Sequence, residues 1–599
     1  MRSTIRWAFA ALALAAGVWA SALRAFGPFA LTVASVRLTS SDVKRPLIVA
    51  VICAAAYAAA SGRERLQRDL GMLRSRATVA HGAALMAAVV LIVGITHNSW
   101  TAGGADSYAY VTQADLLLRG SLTVPIPLVT RAPWPDALTT FTPFGYRALP
   151  HEPAIAPATG LGLPLLMAAF KAAFGHAAGF LVVPATGALL VWTTFLVGSR
   201  VLSPTAGLAA AWLTAMSPTF LMMFKSQMSD VPAAAFWTLA TYAALGRTPR
   251  AAVAAGAASA LAILIRPNLV PIAAVLFVWL AFDRRERRAW VPAIAFVLAM
   301  LPGPLIVAAL NARLYGSPLS SGYGDIGQLF SLNYVPVTLT RYATWFAETQ
   351  TPLAFAGIIL LVLAPRPLWP TPALRANAWL LAAVAASTWI LYSVYQPFGA
   401  WWFLRFLLPS WPALSIGTVA LLVWVSRFRV GARTRAVAVI ALGLYGLAIA
   451  RQRDVFPVEE GERRYATIAT FVQRLTDPQA MVLASIHTGP TRYYAGRASM
   501  RFDLLDPAWL DRTADWLTQQ GRHPYVLVED WEMPMFTSRF AGNRLADLGA
   551  SPRLAYRAYA TSGTVYLFDL LRREGPTLAP PPIKDPRPRC PLPAPAPEL

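Results

Sequence analysis

Apolar runs recur along almost the whole of this chain, and they constrain its fold more than any other feature. They lie at about 1–25, 47–60, 82–96, 160–175, 178–198, 205–224, 231–246, 251–266, 268–282, 289–310, 351–364, 377–394, 404–425 and 436–450. A helix needs about 20 apolar residues to cross the hydrocarbon of a bilayer. Inside that hydrocarbon only helices and closed barrels satisfy their own backbone. Composition agrees: 14% of the 599 residues are charged and 56% are hydrophobic, whereas a soluble protein is usually about 25% charged. The fold class predicted is mainly α, a polytopic membrane helix bundle.

The net charge of +23 would suggest nucleic acid in a soluble chain. In a membrane chain it reflects Lys and Arg in cytoplasmic loops and attraction to anionic lipid. Membrane lipids are therefore expected partners and nucleic acid is not. Cys53 and Cys590 lie in an apolar span and a proline-rich tail, so no disulfide framework is expected. Abundant Ala and Arg with few Lys fit a GC-rich bacterial genome, and the expected location is a bacterial inner (plasma) membrane.

Basic clusters assign the sides of the spans. Arg63-Glu64-Arg65 with Arg68, Arg74 and Arg76 reads as cytoplasmic, and so does Arg284-Arg285-Glu286-Arg287-Arg288. Arg200, Arg247, Arg250, Arg427, Arg429, Arg433 and Arg435 fit the same side. The N-terminal run, with Ala20-Ser21-Ala22, reads as a first span in preference to a cleaved signal peptide. The third span then runs outward. If Arg200 is inside, the run at 160–175, which is short and carries Lys171, must be re-entrant or interfacial. About 13 spans remain, with the N-terminus inside.

Four regions follow. Residues 1–76 are two additional spans and a basic loop. Residues 77–451 hold the remaining spans and a long exterior loop, 98–158. Its Trp100, Trp134, Phe141, Phe144 and Tyr146 suit segments lying at the membrane interface. Residues 452–575 read as a small extracytoplasmic α/β domain. It has an amphipathic helix at 459–475, strands at 481–485 and 525–528, a helix at 507–520, and a hairpin over 554–571 around Thr561-Ser562-Gly563. Residues 576–599 are proline-rich and expected to be disordered.

Several polar motifs then converge on the outer face. Asp106 sits just past the third span, after Gly103-Gly104, where a helix restarts with Tyr108, Ala109, Thr112 and Leu116 on one side. An ionisable group at that depth points to function; a solvated helix cap is the plain alternative. Ser229-Asp230-Val231-Pro232 reads as a helix start that leaves Asp230 facing water. Arg266-Pro267-Asn268 places an Arg at the outer end of a hairpin of spans, where a neighbouring Asp or a phosphate can pair with it. Tyr315 to Gly324, with Tyr323, forms an exterior loop suited to a lid or a polar wall, or an ordinary loop. His151 and Glu152 lie in the long loop. Arg405, among the aromatics of 395–409, can meet a phosphate while the rings anchor the interface or stack on a sugar. The six histidines are scattered, with no metal-ligand spacing, no nucleotide fingerprint and no serine-nucleophile elbow.

Together these motifs resemble those of the GT-C superfamily of integral-membrane glycosyltransferases. The likeness is greatest to the bacterial branch related to protein O-mannosyltransferases and aminoarabinose lipid A transferases. The residues that carry it are Ala105-Asp106-Ser107-Tyr108, Ser229-Asp230-Val231-Pro232, Arg266-Pro267-Asn268, Tyr315-Gly316-Ser317-Pro318 and Arg405-Phe406-Leu407-Leu408-Pro409, over roughly 78–425. The resemblance implies a polyprenyl-phosphate sugar as donor and a glycan, lipid or protein acceptor. It implies transfer on the extracytoplasmic face, with Asp106 as general base. Asp230, Arg266, Arg405, Tyr315, Tyr323, His151 and Glu152 are the expected donor-phosphate and substrate contacts. Many relatives carry an acidic pair where this chain has Asp106-Ser107, so a divalent metal ion is the one cofactor in question. A lipid-linked glycan polymerase or ligase, or a lipid or solute transporter, are the competing functions; a transporter would want broken spans and a repeat.

Overall fold

The computed structural model describes residues 2–33, 36–72, 76–282, 290–428, 431–549, 551–558 and 563–572, with 577, 578 and 580. Arg74, the basic cluster at 284–288, Arg429, Thr561, Ser562 and nearly all of the proline-rich tail lie outside these residues.

The chain is a helix bundle. Among the described residues, eight helices are long and apolar enough to cross a membrane: Trp7–Phe26, Lys44–Ser61, Thr78–Thr96, His176–Val201, Trp290–Tyr315, Pro372–Ser393, Trp401–Val425 and Ala432–Gln452. A bent pair, Leu332–Thr349 with Leu353–Leu363, would make nine. The expected 13 is reached only by counting the shorter helices Pro204–Ala215, Asp230–Ala244, Pro249–Ile265, Val270–Ala281 and Leu353–Leu363. At 1.5 Å per residue, helices of this length fall short of a hydrocarbon core of about 30 Å.

Many of these helices start in one way. Ser203, Thr248 and Thr371 each precede a proline and accept a hydrogen bond, 3.2 Å long, from Ala206 N, Ala251 N and Leu374 N. The side chain satisfies an orphan amide, and proline at the first helical position has no amide to satisfy. Between helices, small residues set the closest crossings. A Cβ on Gly357 would lie 2.4 Å from the carbonyl carbon of Gly417, so this crossing admits no side chain, as is usual where membrane helices pack without a hydrophobic drive. Arg200 lies over the Tyr242 ring at 4.2 Å and Arg247 over Trp279 at 3.7 Å. The basic ends of these helices gather together.

Five helices position the site: α1 (Asp106–Leu118), α2 (Gly162–Phe174), α3 (Asp230–Ala244), α4 (Pro249–Ile265) and α5 (Pro372–Ser393). Helix α2 is the run expected not to cross, and its 13 residues reach only about 20 Å. Its Lys171 is buried and meets Asp115 of α1 at 2.8 Å. The 98–158 loop carries regular structure of its own. Strands β1 (Val124–Pro125), β2 (Tyr146–Ala148) and β3 (Ala154–Pro157) form an antiparallel sheet with β3 in the middle.

The C-terminal region is the expected α/β unit. Helices α6 (Val458–Leu475) and α7 (Leu510–Gln519) flank strands β4 (Ala480–Ala484), β5 (Ala498–Arg501), β6 (His523–Glu529), β7 (Leu554–Arg557) and β8 (Thr564–Asp569). The order is β7-β8-β6-β4-β5, with β5, β4 and β6 parallel and β8 antiparallel to β6 and to β7. The strands β4 and β6 are buried on both faces, which is why both read as near-continuous apolar runs. Ile468, Phe471 and Val472 of α6 pack on one face with Val482 and Leu527, while Leu510 and Leu517 of α7 pack on the other with Leu483 and Val526.

One expectation is corrected here. Trp134 and Phe141 do not anchor a membrane interface: they are 3% and 0% exposed and belong to the core of the C-terminal unit. Trp134 meets Trp516 edge to face at 5.1 Å. The 98–158 loop and the C-terminal unit share one core, a pairing about 380 residues apart in sequence that composition could not disclose.

Candidate active site

Asp106 is the first residue of α1, released by the Gly103-Gly104 turn, in which Gly104 has a positive φ of 60°. Arg405 comes from a 3-10 helix, Trp401–Ser410, which carries Pro409 near its end. The two meet with Arg405 Nη2 3.5 Å from Asp106 Oδ2. Asp106 keeps 31% of its side chain open to solvent and Arg405 13%. Arg405 Nε is buried with no hydrogen-bond partner among the described residues.

A second pair lies alongside. Asp230, the first residue of α3, has no side-chain exposure, and Arg266 Nη1 stands 3.0 Å from its Oδ1. Arg266 also donates from Nε to Ser229 Oγ and from Nη1 to the Tyr392 hydroxyl, each at 3.2 Å. Asn268 donates to the same hydroxyl at 3.0 Å.

Phe406 joins the two pairs. The Arg266 guanidinium stands 4.7 Å from its ring centre and that of Arg405 5.2 Å. Tyr392 of α5 stacks on the same ring at 5.2 Å. Tyr110, one turn along α1 from Asp106, donates to Ser229 Oγ at 2.8 Å. The site therefore holds one reachable carboxylate, one sealed carboxylate and two guanidinia around an aromatic face. Such a set can take up a proton at the first carboxylate and hold an anion with the arginines.

Residues 159–310 match a family model described as dolichyl-phosphate-mannose-protein mannosyltransferase. That stretch contains Asp230 and Arg266. Among solved structures, ArnT from Cupriavidus metallidurans bound to undecaprenyl phosphate is similar with a TM-score of 0.50 at 14% identity, covering 82% of this chain and 98% of that one. The fold is that of the GT-C glycosyltransferases. An oligosaccharyltransferase from Archaeoglobus fulgidus, tethered with an acceptor peptide, is similar with a TM-score of 0.47 at 12% identity, covering 83% of this chain and 74% of that one. A comparison with curated protein sequences found no match.

Within this GT-C fold the expected site residues divide. Asp106, Arg405, Asp230 and Arg266 come together. Asp230 does not face water, as its motif suggested, because Arg266 covers it. Neither of its carboxylate oxygens accepts a hydrogen bond among the described residues. Tyr323, on the turn of the hairpin Ser320–Ser321 and Gly324–Asp325, stands near Asp106 and Arg266. Its dense surroundings and the negative charge of Asp106 hold its hydroxyl well above the ordinary value, while half of its surface stays open.

Tyr315, His151 and Glu152 serve a different place. Tyr315 donates to the Pro157 carbonyl at 3.3 Å and takes Arg147 over its ring at 5.3 Å. His151 lies beside Gly316, and both it and Glu152 are exposed. Arg147 also donates to the Ser321 carbonyl. A Cβ on Gly322 would lie 2.3 Å from Ala158 Cα. The 315–324 loop is thus pinned to the β2–β3 sheet and is not a free lid.

Three functional neighbours escape single-motif reading. Tyr110 could have been found at the i+4 position from Asp106. Tyr392 is one aromatic among many at a span end. Glu462 of α6, whose Oε2 a Cβ on Gly103 would meet at 2.6 Å, gives no local signal, because that segment is more than 350 residues away. Among the described residues no group of three or more His, Cys, Asp or Glu is placed to hold a metal ion. Asp106 faces the Arg405 guanidinium.

Proposed function

We propose that this chain transfers a sugar from a polyprenyl-phosphate donor to an acceptor hydroxyl on the extracytoplasmic face of a bacterial inner membrane. Residues 77–451 make the transfer unit and 452–575 an extracytoplasmic unit docked on it. The observation that carries the reading is the Asp106–Arg405 pair, open to solvent, beside the sealed Asp230–Arg266 pair. Asp106 takes the proton from the acceptor hydroxyl as its oxygen attacks the anomeric carbon. The bond from that carbon to the phosphate oxygen breaks, and the phosphate leaves with the electron pair. Arg405, with Nε unpartnered, holds the charge that develops there, and Arg266 adds to the field. Help from a positioned base is worth about 10²–10⁴-fold. Electrostatic stabilisation grows where water is excluded. Asp230 keeps Arg266 in place and does not itself reach the acceptor.

The test is transfer by the purified protein in lipid, offered radiolabelled polyprenyl-phosphate sugars or the matching nucleotide sugars, with membrane extract as acceptor. The reading expects label to move from the lipid-linked donors and not from the nucleotide sugars. Transfer from nucleotide sugars alone would overturn it.

A further inference from the structure

The C-terminal unit is docked directly on the helix that carries Asp106. Ala102 N donates to the Tyr494 hydroxyl at 2.7 Å, and Tyr493 donates to Asp115 Oδ2 at 3.2 Å. A Cβ on Gly489 would lie 2.5 Å from the Tyr108 ring. Phe144 N donates to Thr488 Oγ1 at 3.3 Å. Helix α6 brings Glu462 to the same place. A Cβ on Gly103 would lie 2.6 Å from Glu462 Oε2 and 2.9 Å from its backbone oxygen. Gly103 is thus the residue that lets this carboxyl approach the turn releasing Asp106. Glu462 Oε2 is buried and has no hydrogen-bond partner among the described residues.

Glu462 is half-buried, and a buried carboxylate oxygen without a hydrogen bond costs free energy that a purely structural role would avoid. We propose that Glu462 is the second carboxyl of the transfer site, a positioning residue that accepts from Asp106 the proton released by the acceptor hydroxyl. This rests on the transferase reading above. The proton passes from the acceptor oxygen to Asp106, then to the Glu462 carboxylate, and out to solvent. No oxidant or co-reactant is needed.

The charged and titratable groups that face Glu462 are Asp106 of α1, Arg405 of the 401–410 turn, and Arg464 and Tyr465 of its own helix. Burial first, and the negative charge of Asp106 in addition, push its carboxyl up to about 7, against the opposing pull of Arg464 and Arg405. A carboxyl placed there can both take and release a proton near neutral pH.

Two measurements on the full-length protein in lipid test this. In the first, the pH dependence of kcat is compared for wild type, Glu462→Gln and Glu462→Asp. Wild type should lose rate as pH falls through about 7, Glu462→Gln should lose about 10²-fold in kcat together with that limb, and Glu462→Asp should restore the limb. Glu462→Gln with the wild-type rate and the wild-type limb would overturn the proposal while leaving the transferase reading intact. In the second, the protonated-carboxyl infrared band that disappears in Glu462→Gln is titrated in wild type and in Asp106→Asn. Its midpoint should be lower in Asp106→Asn, because the repelling charge is gone. An unchanged midpoint would overturn the proposal even if no donor has yet supported transfer. Absence of transfer from every lipid-linked donor by wild type, with the midpoint still shifting, would count against the transferase reading alone.

Discussion

Arg405 Nη2 lies 3.5 Å from Asp106 Oδ2 although 299 residues separate them in sequence. The distance is long for an ion pair, and both side chains keep some exposure. A pair held this loosely can part when a phosphate arrives for the arginine and a hydroxyl for the carboxylate. The neighbouring Asp230–Arg266 pair, at 3.0 Å with its carboxylate sealed, cannot open in that way.

That contrast makes Asp230 a stability residue. Removing one partner of a buried pair leaves the other charge uncompensated and costs about 3–5 kcal/mol. Asp230→Ala should lower the thermal midpoint of the protein in detergent well below that of Asp106→Asn. A double variant, Asp230→Leu with Arg266→Met, should recover part of the loss, because no charge is then stranded. A double variant less stable than Asp230→Ala would contradict this.

Arg405 should behave as a phosphate-binding group. Arg405→Ala is expected to lower kcat by about 10²–10³-fold, the cost of removing one stabilising donor from a developing anion. Arg405→Lys should restore only part, since an ammonium keeps the charge but not the fork of donors. Steady-state transfer with a lipid-linked donor gives both numbers, and full activity in Arg405→Lys would argue against paired contacts.

Much of this was legible in sequence, for a physical reason. Apolar runs report helices because the bilayer demands them, and the alternation of β4 and β6 with helices reports an α/β unit. Asp106, Asp230, Arg266 and Arg405 stood out as charges at the ends of apolar runs. What stayed hidden depends on long-range packing. Nothing local in Trp134 says that it meets Trp516 and not lipid. Nothing in Glu462 says that Gly103 makes room for it. Tyr315 stood in a polar motif and His151 and Glu152 in the long loop, but Arg147 and Pro157 draw Tyr315 onto the β2–β3 sheet and leave the other two on its exposed rim.

The acidic groups of the C-terminal unit give a stability dependence on pH. Burial is the largest cause that raises both Glu462 and Glu532, each to about 7 from an ordinary 4.5. A carboxyl raised in the folded state binds more protons there than when unfolded, so stability falls as pH rises from about 4.5 to about 7 and is flat above. The fall should be smaller in a Glu462→Gln, Glu532→Gln double variant than in wild type. Thermal unfolding at pH 5 and pH 7.5 measures it, and equal slopes in the two proteins would contradict the assignment.

The docking of the C-terminal unit on α1 can be probed at Gly489. A Cβ there would meet the Tyr108 ring at 2.5 Å, and overpacking of this kind costs about 1–3 kcal/mol. Gly489→Ala should loosen the interface, and protease should cut within 488–495 faster than in wild type. Unchanged cleavage would mean that the ring moves aside freely.

The most direct test of the central claim is transfer by wild type and Asp106→Asn, side by side, with a lipid-linked sugar that wild type accepts. Asparagine keeps the shape of the side chain and removes its ability to take a proton. The account predicts that kcat/KM falls by about 10²–10⁴-fold with the fold intact. Equal transfer by the two proteins would contradict it and remove Asp106 from the role of base.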